Sequence, residues 1–231
     1  MALAHGSRSR LNPRCSSLFV SDSLFDRLAR AVCEADCLPR KELFESWEVA
    51  RRTRRRFRGG RVVDLAAGHG LLAYAMLLLD DSSPEALCVD LRRPASAGRL
   101  AEAIEARWPR LAGRVRFVEG PMERVALRAR DVVVSAHACG GLTDLVLERA
   151  VAARARVSVL PCCQGLGGEG DCADLDGWLE RPLAMDVARA MRLRAAGYRV
   201  WTLRIPEEIT PKNRLLLGEP ETRPGEAPGR G

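Results

Sequence analysis

The apolar residues of this chain keep one period up to residue 58 and another beyond it. Between 23 and 58 they recur at helical spacing. Ser23-Leu-Phe-Asp26 has the form of a capped helix start, a hydroxyl followed three residues later by an acid. Leu24, Phe25, Leu28 and Val32 then fall on one face. Pro39 suits the first turn of a second helix. Leu43, Phe44 and Trp47 form its apolar stripe, and Lys41, Glu42, Glu45 and Glu48 its expected solvent face. After Gly59-Gly60 short apolar runs alternate with helical stretches. The pattern predicts strands at 62–65, 86–91, 114–118, 131–136, 156–160, 198–205 and 214–218. Helices are expected at 71–79, 94–108, 142–153 and 182–196. A Gly- and Asp-rich stretch, 165–176, is too polar for core and reads as a loop.

Repeated strand–helix alternation argues for an α/β fold, a doubly wound and mostly parallel sheet. The last connection, 206–213, is too short for the crossover of a dozen or more residues that a parallel pair needs. The seventh strand should therefore run antiparallel, as a hairpin with the sixth. The expected division is a flexible 1–20, an N-terminal helical segment at 21–58, a Rossmann-like seven-stranded domain at 59–218, and a disordered tail at 219–231 rich in Pro, Gly and charge.

Composition narrows the class. With 231 residues, 47% of them hydrophobic, the chain can bury one sizeable core. No apolar run approaches the roughly 20 residues that span a bilayer. Residues 1–14 hold no apolar stretch of the signal-peptide kind, so reduced cysteines and a cytoplasmic location are the expectation. The formal charge of +7 favours a polyanionic partner. Arg51, Arg52, Arg54, Arg55, Arg56 and Arg58 form one basic strip. It reads either as a solvated helix end whose cations complement the dipole or as a strip that contacts nucleic-acid phosphates. Lys appears only at 41 and 212, so part of the Arg excess is compositional.

Chemistry concentrates after the first strand. Gly68-His-Gly-Leu-Leu-Ala73 fits the loose dinucleotide fingerprint. Read from the acid, however, Asp64-Leu-Ala-Ala-Gly68-His-Gly70 resembles motif I of class I S-adenosylmethionine-dependent methyltransferases, an acid followed by alternating glycines. Ala66 stands where that family usually has its first Gly. A carboxylate at the strand end suits an ammonium better than a pyrophosphate, and the reversed last strand is that family's usual ending. The resemblance implies S-adenosyl-L-methionine as cofactor, with Asp64 near its amino end. It implies Ala66, Gly68 and Gly70 along the loop, Asp90 on the ribose with Leu91 beside it, and Met122 and Glu123 at the adenine.

The acceptor side is harder to read. In open α/β sheets ligands sit at the carboxyl ends of the strands, and there the sequence places His137, Cys139, Cys162 and Cys163. His137-Ala-Cys-Gly-Gly-Leu-Thr-Asp144 with Pro161-Cys-Cys163 is similar to a methyltransferase subgroup carrying H-x-C-G…T-D and C-C signatures. That subgroup includes a tRNA acceptor-stem ribose 2′-O-methyltransferase and the methyltransferase-like domain of the glutathione-S-transferase C-terminal-domain-containing protein. Four roles stay open for these residues. His137 is a candidate general base. The cysteines are candidate nucleophiles toward a pyrimidine ring. A four-residue zinc site is chemically allowed, although adjacent Cys162 and Cys163 would point apart if extended, and no metal is expected. The group can also simply shape the pocket. The expected function is methyl transfer to RNA, with a small-molecule or protein acceptor, or a cofactor-binding protein without transfer activity, as alternatives. No membrane partner is expected.

Overall fold

A computed structural model describes residues 5–161 and 177–221. Two helices come first, α1 (Leu24–Ala35) and α2 (Arg40–Arg54). The sheet and its helices follow as β1 (Val62–Leu65), α3 (Leu71–Leu79), β2 (Ala86–Asp90), α4 (Ala97–Arg107), β3 (Val115–Glu119) and β4 (Val132–Ser135). Then come α5 (Gly141–Ala152), β5 (Arg156–Val159), α6 (Arg181–Ala195), β6 (Tyr198–Arg204) and β7 (Arg214–Pro220). The strand order is β3-β2-β1-β4-β5-β7-β6. The first five strands pair in parallel, while β7 pairs antiparallel with both β5 and β6. This is the Rossmann-like seven-stranded sheet with a reversed final strand that the short 206–213 connection required. The expected loop at 165–176 lies outside the described residues.

β1, β4 and β5 are central and wet on neither side. Their Val-rich runs follow from burial on both faces. One core packs α1 to α4 against Val62, Val134 and Leu217. The other sets Val63, Leu65, Val133 and Val157 against residues of α5 and α6. On the first face α2 is tied to the sheet by a hydrogen bond between the Thr53 and Ser158 hydroxyls, 2.8 Å apart.

Two expectations about the N-terminal part change. Residues 5–20, read as flexible from their polarity, are held down. Leu11 and Phe19 are buried, and the Ser7 and Ser9 carbonyls accept from the Lys41 and Arg40 N–H groups. Backbone of the N-terminal segment thus caps α2, whose N-cap residue, Pro39, offers no side-chain acceptor. The solvent face assigned to α2 is also partly wrong, because Glu45 and Glu48 are buried. Charge marks a wet face only when no partner is at hand. Here Lys41 sits 2.8 Å from Glu45, and Arg51 and Arg52 pair with Glu48. At the other end β7 continues to Pro220, into the stretch expected as tail, and residues 222–231 lie outside the described residues.

Candidate active site

The loop after β1 is shaped by three backbone positions of positive φ. Ala66 takes φ +58°, Gly68 +53° and Gly70 +80°. For Ala66 this is the left-handed region that costs an L side chain about 1–2 kcal/mol, so the missing glycine of the family pattern carries a conformational penalty. The two glycines differ in purpose. A Cβ on Gly70 would lie 2.8 Å from Phe117 Cζ and 2.9 Å from Cys88 Sγ, so that glycine lets α3 close onto β2 and β3. A Cβ on Gly68 would meet nothing within 4 Å, which leaves open space beside its backbone. Gly68 N–H donates to Asp90 Oδ2 at 2.8 Å, and Ala67 N–H to the Val89 carbonyl at 3.1 Å. The loop is thereby fixed to the end of β2.

Asp64, near the end of β1, has only 1% of its surface exposed. Its Oδ2 has no hydrogen-bond partner. Burial pushes its carboxyl well above the ordinary carboxylate range, the Ala73 N–H in the first turn of α3 opposes this, and the charges of Asp90 and Glu42 push it further up. A buried carboxylate oxygen without a partner is costly in isolation and is what an incoming ammonium would satisfy. Leu91, next to Asp90, is 73% exposed, an apolar side chain left beside the loop. Met122 packs in the second core, and Glu123 is exposed on the short 3-10 turn that follows β3.

His137 follows β4 in the loop that leads to α5. The signature residues around it are bound to one another. Thr143 Oγ1 donates to the Ala138 carbonyl at 2.6 Å, and Ala138 N–H to Ser135 Oγ at 3.3 Å. Arg189, wholly buried on α6, donates to both Asp144 oxygens and to the Gly140 carbonyl. Burial pulls the Asp144 carboxyl up, but hydrogen bonds from Arg189 and the charges of Arg189 and Arg192 hold it below the usual range. The T-D part of the signature therefore fixes the loop. The His137 side chain is 35% exposed, while Nε2 is buried and lacks a hydrogen-bond partner. Cys139 is exposed on the same loop. Cys162 and Cys163 lie outside the described residues, and with them half of the zinc set.

The structure brings His137 together with two residues from distant sequence. His69, from the cofactor loop, bonds through Nε2 to Ser96 Oγ at 2.9 Å. Burial lowers the His69 pKa, Glu42 opposes this, and Arg99 and His137 lower it further. Glu42, in the first turn of α2, places Oε1 3.9 Å from His137 Nε2. The helical pattern of polar positions puts Glu42 on a solvent face and so misses this meeting. The usable signal is its position at the start of a helix that must begin near the carboxyl edge of the sheet, since the chain enters β1 from the opposite edge soon after that helix ends.

The basic strip is divided by the fold. Arg54 is buried among its own chain. It donates to the Met76 and Phe57 carbonyls and to Ser83 Oγ, and pairs with Asp80 at 3.2 Å. Arg51 pairs with Glu48, and Arg58 donates to the Leu79 carbonyl. Arg52, Arg55 and Arg56 instead line a hollow of about 260 Å³ with Leu203 and Arg204 of β6. Arg55 and Arg56 are exposed and have no carboxylate partner among the described residues, and Arg56 lies over the Trp201 ring. Twelve residues separate Glu42 from Arg54, about 18 Å of helix, so the hollow is remote from His137.

A seven-stranded sheet with a reversed last strand, an acid at the end of β1, a left-handed loop and a second acid at the end of β2 give the chain the fold of the class I S-adenosylmethionine-dependent methyltransferases. The chain belongs to the family described as "Methyltransferase domain", whose model matches residues 43–166, more than half of the sequence. No protein of curated function matches it. Among solved structures it is similar to an O-methyltransferase family protein from Burkholderia thailandensis, at 21% identity and a TM-score of 0.52 over 95% of this chain and 66% of that one. The M1A22 tRNA methyltransferase of B. subtilis is 14% identical, with a TM-score of 0.49 over 75% of this chain and 66% of that one. Human N-acetylserotonin methyltransferase is 15% identical, with a TM-score of 0.47 over 92% and 63%. At these identities the likeness is one of fold, and the chain spans less than two thirds of each of these proteins. Among the described residues no helix is long and apolar enough to cross a membrane.

Proposed function

We propose that this protein transfers a methyl group from S-adenosylmethionine to an oxygen or nitrogen of an RNA, with His137 as general base. The observation that carries the cofactor half is the buried, unpartnered Asp64 Oδ2 beside a loop with open space at Gly68. In this reading Asp64 pairs with the ammonium of the methionine moiety, Asp90 accepts from the ribose hydroxyls through the oxygen that Gly68 does not use, and Leu91 covers the adenine. Bound there, S-adenosylmethionine supplies a methyl carbon made electrophilic by its sulfonium. The charge of that ammonium acts against the burial that raises the Asp64 carboxyl. His137 accepts the proton of the acceptor, and positioning of the two reactants contributes much of the rate.

RNA is favoured as acceptor by the charge of +7 and by the exposed guanidinium groups of Arg55 and Arg56 at the hollow, together with the H-x-C-G resemblance. A second reading, a small apolar acceptor, rests on a cavity of about 370 Å³ between α6 and the β6–β7 hairpin. Leu183, Val187, Met191 and Leu215 line it, and it reaches Pro161 at the end of β5. Labelled-methyl transfer onto total RNA, protein and metabolite extracts separates the two. Label in RNA that falls as salt rises is the expected result; label confined to metabolites would overturn the RNA assignment. Calorimetry with S-adenosylhomocysteine and NAD tests the cofactor independently, and binding of NAD alone would sink it.

A further inference from the structure

We infer that Glu42 is the positioning residue for His137, holding the ring with its proton on Nε2 and leaving Nδ1 to take the acceptor's proton. This deepens the general-base reading above and rests on it. Among the described residues the ion-pair partner of Glu42 is His137 and no other, at 3.9 Å. The neighbouring Lys41 is turned to Glu45. His137 Nε2 is buried and has no hydrogen-bond partner, although its side chain is one-third exposed, so the edge of the ring open to an acceptor is the one away from Glu42. A carboxylate facing one ring nitrogen selects the tautomer that donates to it. The gap closes to hydrogen-bond length with a sub-ångström shift, as catalytic contacts commonly do once ligands bind.

The acceptor O–H or N–H bond breaks, its electron pair stays on the acceptor atom, and the proton lodges on Nδ1, taking the ring from neutral to +1. The Glu42 charge faces that new cation. Among the described residues the other titratable groups on this side are Cys139 on the same loop, His69, and Arg99, whose charge acts on His69. His69 is held at Nε2 by Ser96 Oγ at 2.9 Å; burial lowers its pKa and the Glu42 charge opposes this, so Glu42 also faces the His69 ring. Glu42 comes from α2, the cofactor loop from β1 and His137 from β4, so the pair forms only when the N-terminal helix is docked on the sheet.

Histidine nitrogen NMR tests this directly, because the chain has three histidines, His5, His69 and His137. The full-length protein, labelled with ¹⁵N-histidine and saturated with S-adenosylhomocysteine, should show His137 protonated at Nε2. In Glu42→Ala the two tautomers should mix. Glu42→Gln, whose amide oxygen still accepts, should keep the tautomer but lose the charge. Methyl-transfer kcat should fall about 10–100-fold in Glu42→Ala, with KM for the cofactor unchanged. His137 nitrogen shifts identical in Glu42→Ala and wild type would overturn the inference. If those shifts respond to Glu42 while His137→Ala retains full turnover, the pairing stands and the general-base reading falls. If His137→Ala is inactive and the shifts do not respond, the inference alone falls.

Discussion

Arg54→Met asks whether the basic strip is one functional surface or two unlike halves. Arg54 is 2% exposed, and burial pulls its guanidinium down to about 10 despite Asp80, so it stays charged at neutral pH. Its donors satisfy two carbonyls and Ser83, and its charge faces Asp80, itself buried. Methionine fills most of the volume and supplies none of this. Removing one member of a buried ion pair typically costs about 3–5 kcal/mol, since the partner is left buried without its counter-charge. The penalty sits near the low end here, because Asp80 keeps hydrogen bonds from Gly59 N–H and Ser82. At about 2–4 °C per kcal/mol for a domain of this size, the melting temperature should fall on the order of 10 °C. Urea unfolding gives the free energy, and fluorescence anisotropy with a labelled RNA gives the affinity of the folded protein. That affinity should not change. The double variant Arg55→Ala/Arg56→Ala should do the reverse, changing stability by about 0.5 kcal/mol or less and reducing the salt slope of RNA binding by about 0.7 for each phosphate that an arginine no longer neutralises. An Arg54→Met protein as stable as wild type, or one that is stable but binds RNA more weakly, would refute the partition.

Ala66→Gly should stabilise the protein by about 0.5–1 kcal/mol. It removes a left-handed penalty of about 1–2 kcal/mol and adds roughly 0.5–1 kcal/mol of backbone entropy; a lower melting temperature would contradict the strain at φ +58°. Gly70→Ala meets Phe117 and Cys88 at under 3 Å and should lose about 2 kcal/mol or more by urea unfolding, with cofactor affinity falling as the loop shifts. Asp64→Asn should show a stability gain that grows with pH. The folded-state carboxyl of Asp64 titrates above its unfolded value, so its contribution is fully present below the unfolded value and is lost as pH rises through the folded one. Urea unfolding at pH 5 and pH 8 should show the larger gain at pH 8, while calorimetry shows loss of S-adenosylmethionine binding. An equal gain at both values would count against a raised Asp64.

What the sequence made legible follows from how local each feature is. β1, the loop and α3 were readable because an apolar strand, an acid, two glycines and a helix follow one another within 62–79, and the packing that demands Gly70 comes from adjacent strands. The reversed last strand was readable because a short connection leaves one geometry. Burial of Glu45 and Glu48 was not, because pairing at i, i+3 and i, i+4 lets charge enter a core without altering the pattern of polar positions. Met122, expected at the adenine from its place after β3, packs in the second core, and Leu91 adds an exposed apolar surface beside Asp90. Nor could spacing show that Glu42 meets His137, far along the chain. That contact depends on where α2 crosses the sheet.

α2 links these observations. Its first turn carries Glu42 toward His137 and its last turn carries Arg52 to the hollow beside β6, while Arg54 and Thr53 fasten the same end to α3 and β5. Those anchors sit where they can transmit nothing to the chemistry except position. A helix held rigidly at one end sets the orientation of a side chain about 18 Å away at the other. Loosening the anchor should therefore blur the Glu42–His137 distance before it unfolds the sheet. Under conditions where Arg54→Met remains folded, methyl transfer should decline through kcat while cofactor binding, which depends on Asp64, Gly68 and Asp90, stays as it was. Cofactor affinity that fell in step with kcat would mean that the two poles share an anchor and would refute this division.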